Sequence, residues 1–233
     1  MGIRAVVWSI SGLTLALIIG FLFWRYVWFF RNPTRHPPIG EGILSPADGT
    51  VVYVKHFQPD EEVLSIKRGV AARLDEVAPT DLQGGKLLIG IFMSPFDVHY
   101  NRAPIAGRVG WVRHHPARGG NLHMTSMHWR ILLGIQPFYE ESLHVFQNER
   151  TVTKFQGAFK GSPISCFVVQ IAGGSVRGID SYFEEGETVG RGEIFGMIRI
   201  GSQVDVLVPA LSSMRVRVQP GDRVRAGETV IIE

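Results

Sequence analysis

The side chains able to do chemistry are eight histidines, one cysteine and a few hydroxyls and carboxylates at turns. Ser202 follows Gly201, His99 lies in Asp97-Val98-His99-Tyr100-Asn101-Arg102, and Asp48 lies in Pro46-Ala47-Asp48-Gly49. A serine hydroxyl is a weak nucleophile at neutral pH and needs a base; histidine titrates where such a base is useful. Taken singly, each has an ordinary reading. Gly-Ser is a common turn or strand end, and Pro-Ala-Asp-Gly is a β-turn whose aspartate bonds its own backbone. His99 alone reads as a histidine at a strand end. Cys166, inside Ile164-Ser165-Cys166-Phe167-Val168-Val169, reads as a small buried filler, not a reactive thiol. The other histidines suggest no metal: His114 and His115 are adjacent, and His123 and His128 lack an Asp, Glu or Cys at ligand spacing.

The order of four segments changes these readings. They are Phe29-Phe30-Arg31-Asn32-Pro33-Thr34-Arg35, Ser45-Pro46-Ala47-Asp48-Gly49, the run from Phe92 to Pro104 around Ser94-Pro95-Phe96-Asp97-Val98-His99, and Gly196-Met197-Ile198-Arg199-Ile200-Gly201-Ser202-Gln203-Val204-Asp205-Val206. In this order the chain, from about residue 29 to 233, resembles the short bacterial and archaeal branch of the phosphatidylserine decarboxylase family; Asn148-Glu149-Arg150 is a weaker fifth match. The resemblance implies a self-processing, pyruvoyl-dependent lyase that converts phosphatidylserine to phosphatidylethanolamine and carbon dioxide. Loss of carbon dioxide leaves a carbanion, which needs an electron sink that ordinary side chains do not provide. A pyruvoyl group provides it. The Ser202 hydroxyl would attack the Gly201 carbonyl to give an ester. Elimination would then release residues 1–201, and hydrolysis of the enamine would leave the ketone at the head of 202–233. Glycine leaves that carbonyl uncrowded.

Carried over residue by residue, the resemblance makes Ser202 the nucleophile and cofactor source and His99 its base. Asp48 becomes the acid that orients His99, as in a hydrolase triad. Two positions depart from the family pattern. Gln203 stands where a threonine or a basic residue is common, and Arg102 stands where many members carry a second histidine. A guanidinium cannot act as a base, so either His99 serves both reactions or another histidine enters. Arg102 is expected to bind phosphate or carboxylate through its fork, with His123 and His144 as further substrate-contact candidates. Decarboxylation of a different amino-lipid stays open.

The elements that must position these residues read as mainly β, a β-rich α+β chain. Strand-like runs occur at 42–45, 50–54, 86–92, 107–112, 164–171 and 203–208, bounded by Gly, Pro or Asp. Helical periodicity is confined to the N-terminus and to somewhere within 124–143. Two units share a cadence of glycine turn, valine, glycine turn and apolar strand: 185–193, and 214–232 around Gln219-Pro220-Gly221-Asp222. They suggest a barrel-sandwich, as in lipoyl and biotinyl carriers, yet neither has a lysine at its turn. The same pattern admits a second reading, a non-catalytic membrane-anchored adaptor. The readings part at Ser202, because only the enzyme requires a broken chain.

Residues 5–24 carry no charge and suffice to cross a bilayer as a helix. The collar Trp24-Arg25-Tyr26-Val27-Trp28-Phe29-Phe30-Arg31 suits headgroups and argues against a cleaved signal peptide, which ends in small residues. Residues 1–31 are thus an anchor, 32–41 a proline-bearing linker and 42–233 the decarboxylase domain. Arg25, Arg31 and Arg35 against Arg4 alone put that domain on the cytoplasmic face of the cell membrane. With 24 Lys+Arg and 21 Asp+Glu scattered along the chain, nucleic acid is a poor partner. The expected partners are the membrane lipid, the two cleavage fragments for each other, and a second copy in a homodimer. The apolar stretch 124–143 reads equally as a segment dipping among headgroups or as a core helix or dimer contact.

Overall fold

The computed structural model describes residues 2–59, 61, 63–67, 70–73, 82–140, 142–174, 178–199 and 201–233, so Glu141 and Ile200 of the segments above lie outside the described residues. The chain divides into two compact units, 1–33 and 34–233. In the first, α1 (Ile3–Phe23) continues through a π-helical turn, Trp24–Trp28. Val6–Trp28 is long and apolar enough to cross a membrane. Its one hydroxyl-bearing threonine, Thr14, donates back to the Ile10 carbonyl at 2.9 Å, which satisfies the group without water. The Arg31 guanidinium stacks on Trp28 at 4.5 Å, forming part of the expected collar.

The second unit is mostly β. Its strands are β1 (Ile43–Leu44), β2 (Gly49–Phe57), β3 (Val63–Lys67), β4 (Val70–Arg73), β5 (Lys86–Met93), β6 (Tyr100–Arg102) and β7 (Gly107–His115). Helices α2 (Thr125–Leu132) and α3 (His144–Gln147) follow. Then come β8 (Arg150–Phe159), β9 (Ser162–Ala172), β10 (Ile179–Ser181), β11 (Thr188–Val189), β12 (Ile194–Ile198), β13 (Ser202–Pro209), β14 (Arg223–Val224) and β15 (Val230–Ile232). A curled eight-stranded sheet has the order β11-β7-β8-β9-β13-β5-β2-β14, and a three-stranded sheet runs β10-β12-β6. The two glycine–valine units end up at opposite edges of the large sheet: β11 closes one, β14 the other. The alternating run 214–218 lies along β15 through the bridge from Val216 to Ile232 and backbone hydrogen bonds from Arg215 and Arg217 to Glu233 and Ile231.

The continuous apolar runs are strands buried on both faces, which is why no polar alternation marks them. Along β13, Val204, Val206 and Val208 enter one core with Ile89, Ile91, Cys166 and Val168. Leu207 points to the other core, which α2 and the segment after it cover with Met124, Met127 and Phe138. The polar residues Gln203 and Asp205 share the Leu207 side by strand alternation, and both are fully buried.

One row crosses the middle of the sheet: Tyr53 pairs with Gly90, and Gly90 pairs with Asp205. The Tyr53 ring lies over Gly90, where an added Cβ would stand 2.4 Å from a ring carbon. Its hydroxyl donates to Asp205 Oδ2 at 2.6 Å, two strands away. Gly90 is therefore required by close approach, not by its backbone angles. Gly90→Ala should cost about 1–3 kcal/mol, the usual range for overpacking, measured as a lowered denaturant midpoint. An unchanged midpoint would mean that the ring does not occupy this space.

Candidate active site

The chain leaves the three-stranded sheet at Ile198 and enters the centre of the large sheet at Ser202. Gly201 lies at that switch with φ +58°, a left-handed angle that glycine adopts without strain. Among the described residues, no heavy atom beyond its two chain neighbours lies within 4 Å of where its Cβ would be. Ser202 is fully buried and pairs with Met93 of β5 on one side and Ala172 of β9 on the other. Its hydroxyl donates to Met93 Sδ at 3.4 Å. Thioether sulfur is a weak acceptor, so this contact holds the hydroxyl only lightly. A buried serine after a glycine with open space at its Cβ position is compatible with the acyl shift that makes a pyruvoyl group.

His99 is also fully buried, and its carbonyl accepts from the Ile198 amide at 3.3 Å, next to the switch. Its Nδ1 lies 2.9 Å from the Asp97 carbonyl. A carbonyl only accepts, so Nδ1 carries a proton, and in the neutral ring Nε2 is then the basic nitrogen. The loop that carries His99 is locked by Asp97. Its Oδ2 accepts from the Ser94 amide (2.8 Å) and hydroxyl (2.7 Å), and its Oδ1 accepts from Arg223.

Asp48 has a different neighbourhood from the one expected. Its Oδ2 accepts from Arg35 Nη2 at 2.7 Å and its Oδ1 from the Ala226 amide at 2.7 Å. Arg35 also reaches Glu228 at 3.0 Å. The group that orients His99 is thus the Asp97 carbonyl, while Asp48 ties the strap 34–42 to the C-terminal segment. The described side-chain contacts of Ser202 go to Met93 and those of Asp48 to Arg35 and Ala226, and catalytic contacts often tighten only in the reacting complex.

A cavity of about 250 Å³ opens at Gly201. His123, Thr125, His128, Gly173 and Gly174 line it with Phe92, Pro95, Phe96 and Met124. His123 packs so closely on Gly174 that a Cβ there would lie 2.7 Å from its ring. Of the three substrate-contact candidates, only His123 lines the cavity. Arg102 is half-buried with Nη1 donating to the Gly192 carbonyl at 3.0 Å, beside Gly227, and burial lowers its pKa. His144 lies in the second core and donates through Nε2 to Gln203 Oε1 at 3.0 Å. Among the described residues, no three His, Cys, Asp or Glu side chains group as a metal site.

The contacts that sequence reasoning missed form a network behind Ser202. Gln203 Nε2 donates to Tyr53 Oη (2.8 Å) and to Asp205 Oδ1 (2.7 Å), so His144, Gln203, Tyr53 and Asp205 are joined without water. The signal was present: Asp205 is one carboxylate in the valine-rich run Val204-Asp205-Val206-Leu207-Val208, where an acid must find partners. Burial raises the Asp205 carboxyl to about 7, against the pull of its Tyr53 and Gln203 hydrogen bonds. Burial lowers His144 to about 4, against its bond to Gln203.

Residues 22–232 match the model of a family described as phosphatidylserine decarboxylase. A Methanocaldococcus jannaschii protein, provisionally named archaetidylserine decarboxylase proenzyme, is 35% identical over 207 residues, covering 88% of this chain and 87% of its own. Phosphatidylserine decarboxylase proenzymes of Pelobacter propionicus (34% identical, 88% of this chain and 74% of theirs) and Saccharopolyspora erythraea (37%, 88% and 72%) are similar over the same extent.

The two shifted groups oppose each other on acidification. Between pH 7 and 4 the folded chain takes up a proton at Asp205 that the unfolded chain does not, which raises stability. The unfolded chain meanwhile protonates its histidine near 6.5 while folded His144 stays neutral, which lowers stability. Asp205→Asn removes only the first effect. Relative to the parent, the variant should lose about 1.4 kcal/mol per pH unit on going from pH 7 to 4. Denaturant titrations at several pH values measure this; parallel profiles would show that Asp205 does not titrate in the window.

Proposed function

The chain belongs to the phosphatidylserine decarboxylase family, and on that premise we propose that it decarboxylates the serine headgroup of a phospholipid after cutting itself between Gly201 and Ser202. The observation that carries this reading is the position of Ser202: a buried hydroxyl at a sheet-to-sheet switch, directly after an open left-handed glycine that lines a cavity. His99 acts as the base through Nε2 and takes the Ser202 proton as the oxygen attacks the Gly201 carbonyl. The hydroxyl gives up only a sulfur contact to do so. Scission then yields 1–201 and 202–233. The pyruvoyl group left at 202 supplies the electron sink for decarboxylation. His123, Thr125 and His128 offer polar atoms to the headgroup and Phe92, Pro95, Phe96 and Met124 an apolar wall. His99, or His123 on the cavity wall, returns a proton to the substrate carbon.

The fragments stay together because every strand of the smaller one pairs with the larger. β13 lies between β5 and β9, β14 pairs with β2 and β15 with β1. Arg223 to Asp97 and Glu228 to Arg35 add ion pairs across the cut. The apolar helix anchors the protein in the cell membrane with the catalytic unit on the cytoplasmic face, as Arg25 and Arg31 favour. The relatives' names share a serine headgroup and differ in the rest of the lipid. Assays on phosphatidylserine and archaetidylserine will separate those substrates.

Ser202→Ala should remain one uncut chain on a denaturing gel and release no carbon dioxide from either lipid. His99→Ala should slow self-cleavage by about 10²–10⁴-fold, the usual contribution of a general base. A processed, active Ser202→Ala protein would overturn the reading, and normal processing of His99→Ala would move the base to another residue.

A further inference from the structure

Outside the N-terminal helix, eight large hydrophobic side chains among the described residues are exposed. Four of them fall within seven residues: Trp129 (56%), Leu132 (60%), Leu133 (67%) and Ile135 (45%). A fifth, Phe96 (66%), lines the cavity at Gly201. Such concentration marks an interaction surface, since scattered single exposures need no explanation.

Helix α2 joins the patch to the cavity. Thr125 and His128 line the cavity, and Trp129 and Leu132 follow at i+4 and i+7 from Thr125, on the same face. Met124, Met127 and Ile131 take the other face into the core. One stripe thus runs from the cavity wall to an exposed apolar end. The stretch of sequence that carries it is one-sided in charge. From Val98 to Tyr139 there is no Asp or Glu, while five arginines occur. The next acid, Glu140, is paired with Arg130 at 2.6 Å.

We propose that this stripe seats the catalytic unit on the anionic lipid leaflet that holds its substrate, with the apolar side chains among the acyl chains and the cavity opening at headgroup depth. It rests on the phospholipid decarboxylase reading. Exposed aromatic and leucine side chains on an arginine-bearing segment without acids suit an anionic bilayer. A serine lipid then enters by lifting its headgroup past Phe96 and His128 while its acyl chains stay in the leaflet. The lipid need not leave the bilayer completely.

The lone cysteine makes a direct test possible, because Cys166 is fully buried and an introduced surface thiol labels alone. Full-length Leu132→Cys, carrying a polarity-sensitive dye, is reconstituted in phosphatidylserine-containing vesicles beside Ser213→Cys, on an exposed turn next to the opposite core. Nitroxide lipids should quench the dye at 132 and spare that at 213. Equal quenching at both, or none at 132, overturns the proposal. A dye at 132 that is already shielded without lipid, in detergent, points to a second copy on the patch and also overturns it. Trp129→Ser with Leu132→Ser should lower turnover of vesicle substrate by about tenfold or more, from the lost burial of two large side chains. Turnover of detergent-dispersed substrate should be unchanged; equal losses on both mean a structural role. Selective quenching in a parent inactive on every serine lipid would sink the enzymatic reading and leave the lipid contact standing.

Discussion

The structure depends on one strand that must satisfy two demands. β13 is the central strand of the large sheet, hydrogen-bonded on both sides and buried on both faces, and its first residue is the serine proposed to become a chain terminus. A cut made in a loop would leave a mobile end. A cut at the first residue of a doubly paired strand leaves an end fixed by the sheet, because residues 202–207 are held by partners on either side. Precise placement of a reacting group comes from such rigid support. The same pairing explains how a short C-terminal fragment could be separated covalently without being lost.

The two faces of that strand divide the work. Val204, Val206 and Val208 contribute to the larger core. Gln203 and Asp205 enter the other face and build a directly hydrogen-bonded network with Tyr53 and His144. Burying four polar groups is costly unless each finds a partner. Here Gly90 lets a tyrosine from β2 reach across a whole strand to meet the carboxylate. The network also spans the proposed cut, with Tyr53 and His144 on one product and Gln203 and Asp205 on the other. Residue 203, next to the reacting position, is thereby gripped through both its backbone and its side chain.

The parts of this arrangement legible in the sequence are those set by local pattern. The apolar runs at 86–92, 164–171 and 203–208 became β5, β9 and β13, and the glycine turns placed β11 and β14. Strand β8 went unread because Thr151-Val152-Thr153-Lys154 mixes polar residues into a buried strand. Ser202, His99 and Asp48 were singled out by the ordered motifs, but their hydrogen-bond partners were not. Which group faces His99 depends on the loop closed by Asp97, and Asp48 meets Arg35 only because the strap folds back on the domain. His128 and the Gly173-Gly174 pair line the cavity through tertiary packing that no spacing rule anticipates. The acid-free stretch 98–139 was readable as charge, yet it acquires meaning only once α2 is seen to join the cavity to an exposed apolar face.

The central claim is that the residue at the head of β13 becomes a ketone when the chain is cut. Mass spectrometry of mature protein under denaturing conditions, before and after hydroxylamine treatment, tests it directly. The account predicts a fragment beginning at position 202 that is lighter than the serine peptide by one ammonia and gains one oxime. An active protein that runs as a single chain of 233 residues, or a cut fragment with an ordinary serine amine and no oxime, would contradict it.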